Sequence, residues 1–487
     1  MGALRHAAVL LTNLVTAVRD TRQRQGFVAL NGGSTVSTPA RQIDQGVFAE
    51  IRRVFALQQA HQWKMKATTA EERKEKLKKL KAAVEAHGDE IVVAVKQDTR
   101  KPEGEIRVTE ILGVIGNIQR NIDNLDEWMK PVEVVPSQNK NDKARIVHEA
   151  RGVCLILGPW NFPLGLTMGP LAAAVAAGNC CIVKLTDLCP ATARVAAKII
   201  KQAFEEREVA LFEGGVDVAT ALLDLPFSHI FFTGSTRVGK LVMAAAAKNL
   251  ATVTLELGGK SPVIVDESAD VKKVAGDLAA AKQFNGGQAC ISPDYVFIRE
   301  QQKSALIEEF RANVKQNLYR DDGSIKKESI AQIVNEQNFA RIKHLFDDAV
   351  AKGAKVAVGG TLEQADRTIH PTLLTDVTPD MQIMQEEIFA PIVPVVTYKS
   401  IDEVIEHISG RGKPLALYIY SNDRNNIEKI LSRTSSGGVT INGFFSHYLE
   451  SQLPFGGVNQ SGMGSYHGIF GFKAFSHERA IYIQESR

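Results

Sequence analysis

From Gly152 onward the chain alternates short apolar runs, rich in β-branched residues, with helix-length segments, and few folds satisfy that rhythm. Val153 to Leu157, Cys181 to Lys184, His229 to Phe232 and Val253 to Leu257 read as strands. Met168 to Ala177, Ala191 to Phe204 and Val238 to Lys248 read as the helices between them. Strands apolar along their whole length need cover on both faces, so the pattern implies an α/β fold with a parallel sheet between helices. Such sheets bind ligands beyond the carboxyl ends of their strands, where the glycine-rich turns of this chain fall. With 487 residues, 44% of them apolar and 23% charged, there is room for two or three domains of an ordinary soluble enzyme. A formal charge of +3 is too small to indicate nucleic acid as a partner.

Two runs carry the chemistry: Thr254-Leu-Glu-Leu-Gly-Gly-Lys-Ser-Pro262 and Phe284-Asn-Gly-Gly-Gln-Ala-Cys290. Glu256 hangs from a strand end before Gly258 and Gly259, and Cys290 follows Gly286 and Gly287, so each is approachable without a bulky wall. Together they offer a base and a nucleophile. A lone cysteine is more often a small buried hydrophobe, and only the flanking runs lift Cys290 above that reading. The other four cysteines, Cys154, Cys180, Cys181 and Cys189, make an odd total of five at no metal-ligand spacing. No metal site or disulfide framework is expected, and a reducing compartment is.

The turn Phe232-Thr-Gly-Ser-Thr-Arg-Val-Gly-Lys240 reads as a strand end, a tight glycine turn and a helix starting near Thr236, whose N–H groups favour a pyrophosphate. It lacks the middle glycine of the dinucleotide fingerprint and is weak evidence alone. Val183-Lys-Leu-Thr-Asp187 is either a grip for ribose hydroxyls or a plain strand end. Asn161, between Trp160 and Pro163, is either a turn residue or a polar group aimed at the site.

Residues 1–42 set five arginines, Arg5, Arg19, Arg22, Arg24 and Arg41, against the single acid Asp20. That balance suits an organelle transit peptide and equally a surface helix with a flexible arm. The expected location is the cytoplasm, with a mitochondrion or plastid as the alternative. No apolar run reaches the ~20 residues of a membrane span. The lysine-rich stretch Lys74 to Lys81 follows a capping box at Thr69 and Glu72 and reads as the solvated face of a helix.

Six motifs in order, Pro159-Trp-Asn-Phe-Pro163, the 234–239 turn, the Glu256 and Cys290 runs, Glu386-Glu-Ile-Phe-Ala-Pro391 and Leu453-Pro-Phe-Gly-Gly457, resemble the NAD(P)-dependent aldehyde dehydrogenase superfamily. The likeness runs from about Val47 to the C-terminus. Ala289-Cys-Ile-Ser-Pro-Asp-Tyr295, Ser461-Gly-Met-Gly-Ser-Tyr-His-Gly468 and Phe475-Ser-His-Glu-Arg479 are most similar to its class 3 branch of fatty and aromatic aldehyde dehydrogenases. The resemblance implies an aldehyde dehydrogenase-like α/β subunit. Its parts would be a Rossmann-type cofactor domain (43–130 and 152–255), an α/β catalytic domain (256–450) and a β-bridging oligomerisation segment (131–151 and 451–487), commonly paired into a homodimer.

It also implies oxidation, as in aldehyde detoxification, of a small-molecule aldehyde to the carboxylic acid. Cys290 would form a thiohemiacetal and then a thioester, hydrolysed by water that Glu256 activates, with the Asn161 amide and the Cys290 N–H stabilising the oxyanion. Lys184 and Asp187 would contact adenosine, and Gly234, Ser235, Thr236 and Gly239 the pyrophosphate. Glu387 would grip the nicotinamide ribose, with Phe389 and Trp160 beside it. NAD is the expected cofactor. Asp187 is one methylene shorter than the family's usual glutamate and repels a 2′-phosphate less, so NADP is the alternative.

Gly286 stands where alanine is common, a change expected to be tolerated, and no membrane-anchoring tail is expected after Arg487. With no well-placed cationic pair for a dicarboxylic semialdehyde, an apolar medium- or long-chain or aromatic aldehyde is favoured. His447 and Tyr448 are either tunnel residues or packed loop. Two rivals remain: a coenzyme A-acylating enzyme, against which Glu256 speaks, and a non-catalytic scaffold, against which Cys290, Glu256 and Asn161 speak.

Overall fold

The computed structural model describes residues 45–485, so the transit peptide or arm expected over 1–42 lies outside the described residues. The helix Ala70–Ala86 opens on the expected capping box: the Thr69 N–H donates to the Glu72 carboxylate at 2.7 Å, and the Glu72 N–H donates to the Thr69 hydroxyl at 3.3 Å. Leu77, Leu80 and Val84 turn inward from it while Lys78 and Lys79 stay exposed, as the 3.6-residue period requires.

Two strands, β1 (Val132–Val134) and β2 (Lys143–Ala150), precede the expected βαβ region. There follow β3 (Val153–Leu157), β4 (Cys180–Lys184), β5 (Val209–Phe212), β6 (His229–Thr233) and β7 (Thr252–Glu256). They pair in parallel in the order β7-β6-β3-β4-β5, so the chain winds outward from β3 twice and the topological switch point falls between β3 and β6. Every residue of β3, β4 and β6 is buried, which accounts for their apolar composition. The sequence reading passed over β5, a four-residue edge strand too short to show a period.

A second sheet takes β8 (Pro262–Val265), β9 (Tyr295–Arg299), β10 (Lys355–Val358), β13 (Thr372–Thr375), β14 (Ile392–Tyr398), β15 (Ala416–Tyr420) and β16 (Gly438–Ile441), with β11 (Leu362–Glu363) and β12 (Thr368–Ile369) forming a small separate pair. Its order is β10-β13-β14-β9-β8-β15-β16, parallel throughout except at the edge strand β10. The short β17 (Gly462–Met463) returns to the first sheet, antiparallel to β7, and β18 (Ser476–Ile483) pairs along its whole length with β2.

One register relation matters most. In the second sheet β8, β9 and β14 are parallel neighbours, with Pro262 opposite Tyr295 and Val296 opposite Val395. The segments that lead into those strands must therefore arrive side by side. Glu256 lies six residues before β8, and Cys290 and Glu387 each lie five before β9 and β14. Since Glu256 is also the last residue of β7, the junction of the two sheets brings the carboxyl end of one against the leading end of the other.

Candidate active site

Glu256 ends β7 with its backbone carbonyl accepting from the Gly234 N–H at 3.0 Å, which ties it to the glycine turn after β6. Its side chain is 2% exposed, and neither carboxylate oxygen has a hydrogen-bond partner. Burial alone pushes its pKa well above the usual carboxylate range.

Cys290 follows a run in which Asn285, Gly286 and Gly287 all adopt left-handed backbone, with φ of 49°, 58° and 71°. A Cβ on Gly287 would sit 2.5 Å from the Ala390 carbonyl, and one on Gly286 2.9 Å from the Ala331 carbonyl. The glycine at 286 thus suits its place better than alanine would. The thiol is pushed up to about 12 by burial and then by the nearby Glu387 and Glu256 carboxylates, while the N–H groups of Cys290 and Ile291 pull it back. Both acids are felt at the sulfur, as the strand register requires.

Lys260 and Asp294 knot the three leads together. The Lys260 ammonium pairs with Asp294 and also donates to the carbonyls of Ile383 (2.8 Å) and Glu386 (2.9 Å), and Asp294 accepts the Ile388 N–H at 2.9 Å. Glu387 is pushed up to about 8 by burial and by Asp294, against the Gly259 N–H and Lys260, which lower it.

Asn161, four residues beyond β3, is buried and turned toward the Cys290 lead. Its side-chain Nδ2 donates to the Gln288 carbonyl at 3.1 Å, leaving the second amide hydrogen without a partner among the described residues. Its carbonyl accepts from Lys101 Nζ at 3.0 Å and from Asn285 Nδ2 at 2.9 Å. Lys101, Asp294 and Lys260 were not anticipated from sequence. A lysine or aspartate in a polar stretch carries no local sign that it will be buried.

On the other side of Glu256, Ser235 caps the helix Thr236–Ala247 by accepting the Val238 N–H at 3.4 Å. Gly239 lets that helix settle on Leu257, which a Cβ would meet at 2.7 Å. Thr236, Gly258, Gly259, Glu387 and Gln460 line one cleft, and Gly258 keeps it open, since a Cβ there would fall 2.3 Å from the Glu387 carboxylate. A helix start, a glycine floor and an acid beyond it are a fitting cradle for a dinucleotide. Trp160 packs edge-on against Phe389 at 5.4 Å beside it. Lys184 and Asp187 sit apart, at the end of β4. Asp187 and the unanticipated Asp217 each come within 3.2 Å of where a Gly215 Cβ would be, so two acids face each other there. Lys184 is lowered by burial and raised by both.

Aromatic rings close the site. Phe162 stacks on Phe284 at 5.6 Å, and Phe284 lies 5.9 Å from Phe445. Tyr466, buried, and Tyr448, half-buried, lie within electrostatic reach of Cys290 and Glu256. His447 instead belongs to its own loop, bonded to the Thr440 hydroxyl at 2.7 Å and stacked on Phe455.

This arrangement has counterparts. The aldehyde dehydrogenase family profile matches residues 36–481. The putative aldehyde dehydrogenase AldX of Bacillus subtilis is 51% identical over 91% of this chain and 99% of its own length. Aldehyde dehydrogenase family 3 member A2 of Pongo abelii is 41% identical over 85% and 84%. The substrate-bound structure of Staphylococcus aureus AldH superposes with a TM-score of 0.86 at 38% identity, covering 90% of this chain and 94% of that one. The chain belongs to the aldehyde dehydrogenase family, in company with its class 3 members.

Proposed function

We propose that this member of an NAD(P)-dependent family oxidises apolar aliphatic or aromatic aldehydes to carboxylates, with Cys290 as nucleophile, Glu256 as general base and Asn161 as oxyanion donor. The observation that carries the reading is the buried, unpartnered Glu256 carboxyl within electrostatic reach of the Cys290 thiol. A thiol held so high reacts only when a base takes its proton, and a carboxyl raised by burial is suited to that transfer near neutral pH. The thiolate attacks the aldehyde carbon, and the unpaired hydrogen of the Asn161 amide and the Cys290 N–H stabilise the oxygen. The cofactor, which Thr236 would hold at its pyrophosphate and Glu387 at its nicotinamide ribose, would supply the hydride acceptor when bound. Once the thiol proton has passed from Glu256 to solvent, the freed carboxylate takes a proton from water, which attacks the Cys290 thioester, releasing the acid and the Cys290 thiolate. A coenzyme A acceptor would need no such base.

Phe162, Phe284 and Phe445 support an apolar substrate. The facing acids Asp187 and Asp217 support NAD over NADP, whose 2′-phosphate they would repel. The domain division at 43–130 with 152–255, 256–450, and 131–151 with 451–487 belongs to the same reading, and so does a homodimer.

The test is reduced-cofactor formation at 340 nm with aldehydes from acetaldehyde through long-chain to benzaldehyde. Turnover should improve with apolar chain or ring, Cys290→Ala should abolish it with NAD still bound, and Glu256→Gln should slow thioester hydrolysis. Full activity in either variant removes these roles.

A further inference from the structure

Asn161 comes from the first sheet and Cys290 from the lead into the second, so some third element must set the gap between them. One segment touches Asn161 and the turn that leads to Cys290. After Pro102 the chain forms a short helix, Glu103–Ile106, that runs straight into a π-helical turn, Arg107–Leu112. Such turns are uncommon and occur often at functional sites. Lys101 and Glu110, both fully buried, pair at 2.8 Å, and Lys101 also donates to the Asn161 carbonyl and lies 4.1 Å over the Phe162 ring. The other oxygen of Glu110 accepts the N–H groups of Leu164 (3.0 Å) and Gly165 (2.8 Å), at the start of the helix Gly165–Ala176. The Asn161 loop is thus held at both ends.

Glu105, on the same segment, reaches the turn that leads to Cys290. Its carboxylate accepts the Asn285 N–H at 2.8 Å, and the Asn285 side chain donates to the carbonyls of Asn161 (2.9 Å) and Gln288 (3.0 Å). A buried ion pair adds little stability over well-packed apolar side chains, so its presence beside Asn161 calls for another account. We propose that Lys101 and Glu105 are positioning residues that fix the Asn161 amide relative to Cys290, and so set how well the oxyanion is stabilised. This rests on the roles proposed above for Asn161 and Cys290.

The test uses the full chain with Lys101→Met, Glu105→Ala, Glu105→Gln and Asn161→Ala, singly and combined. The rate of the first-turnover burst of NADH and the NAD Kd from fluorescence are measured. Asn161→Ala should slow the burst by ~10²–10³-fold. Lys101→Met and Glu105→Ala should each slow it by about 10-fold or more with the Kd unchanged within about twofold, and Glu105→Gln, whose amide oxygen still accepts, should recover most of the loss. Because both act through Asn161, adding either to Asn161→Ala should cost less than about threefold more.

Losses that multiply fully in the Asn161→Ala background, or an unchanged burst in both single variants, overturn the proposal. If Lys101→Met fails to give a cooperative melt, the half-buried Glu105 pair of variants decides alone. An unaffected burst in Asn161→Ala would instead overturn the oxyanion reading on which the proposal stands.

Discussion

Glu256 is asked to be both buried and unpartnered, and that combination has a cost that pH reveals. Its folded-state pKa lies well above the model-compound value of 4.5, so the native protein holds this proton more tightly than the unfolded chain does. The stability contributed by the neutral carboxyl is therefore complete below about pH 4.5 and is lost as the pH rises through the folded-state value. Glu256→Gln cannot ionise, so it should melt with the wild type at pH 4 and about 2–4 °C above it at pH 8, by calorimetry. A wild type more stable than the variant at pH 8 would mean that the carboxylate has a partner. Cys290 follows the same logic. With its thiol pushed up to about 12, alkylation by iodoacetamide in the absence of cofactor should rise about tenfold per pH unit from pH 7 to 9 without a plateau. A plateau near pH 7 would show that the Cys290 and Ile291 N–H groups outweigh burial.

At the scale of elements, the parallel register of β8, β9 and β14 turns three distant motifs into one site, and two glycines make the approach possible for different reasons. A Cβ at Gly258 would strike the end of the Glu387 side chain, which can swing aside, whereas one at Gly287 would strike the Ala390 backbone at φ +71°. Gly258→Ala should therefore fold normally and bind NAD about tenfold more weakly, by fluorescence titration. Gly287→Ala should lose about 1–3 kcal/mol by denaturant unfolding, together with activity. Equal stability in the two variants would contradict this distinction. The glycine runs and the acids and thiol beside them were legible because each is a local pattern with a local physical cause. The stretch Lys101-Pro-Glu-Gly-Glu105 was not, because it reads as solvated polar chain and acquires meaning only when the π turn carries Glu110 inward to pair with the buried Lys101. Asp217 was missed likewise, since an acid in the first turn of the helix Val216–Leu223 already has a sufficient local explanation.

At the scale of the molecule, the βαβ rhythm predicted β3, β4, β6 and β7 of the first sheet but not its edges β5 and β17, while the second sheet depended on long-range pairing such as β13 with β14 that no local period announces. What the described chain leaves uncovered is the three-stranded ribbon β1-β2-β18. β18 is its edge, eight residues long, with an unpaired backbone side among the described residues, and a long open edge is a template for another strand. Across the ribbon Val134 and Tyr482 face the same way through Ala144, and with Val132 on that face they are 44–50% exposed, an apolar surface that a lone subunit would leave in water. In the homodimer proposed above, a second copy related by a twofold axis would cover the same patch on both subunits at once, because a twofold contact is self-complementary. Light scattering after gel filtration should therefore give twice the 53.2 kDa of the chain. Val134→Glu combined with Tyr482→Glu places like charges on that face and should shift the mass toward one subunit while each subunit keeps its far-ultraviolet circular dichroism. A wild type that elutes at 53.2 kDa, or a variant that stays paired, would exclude the ribbon as the dimer contact.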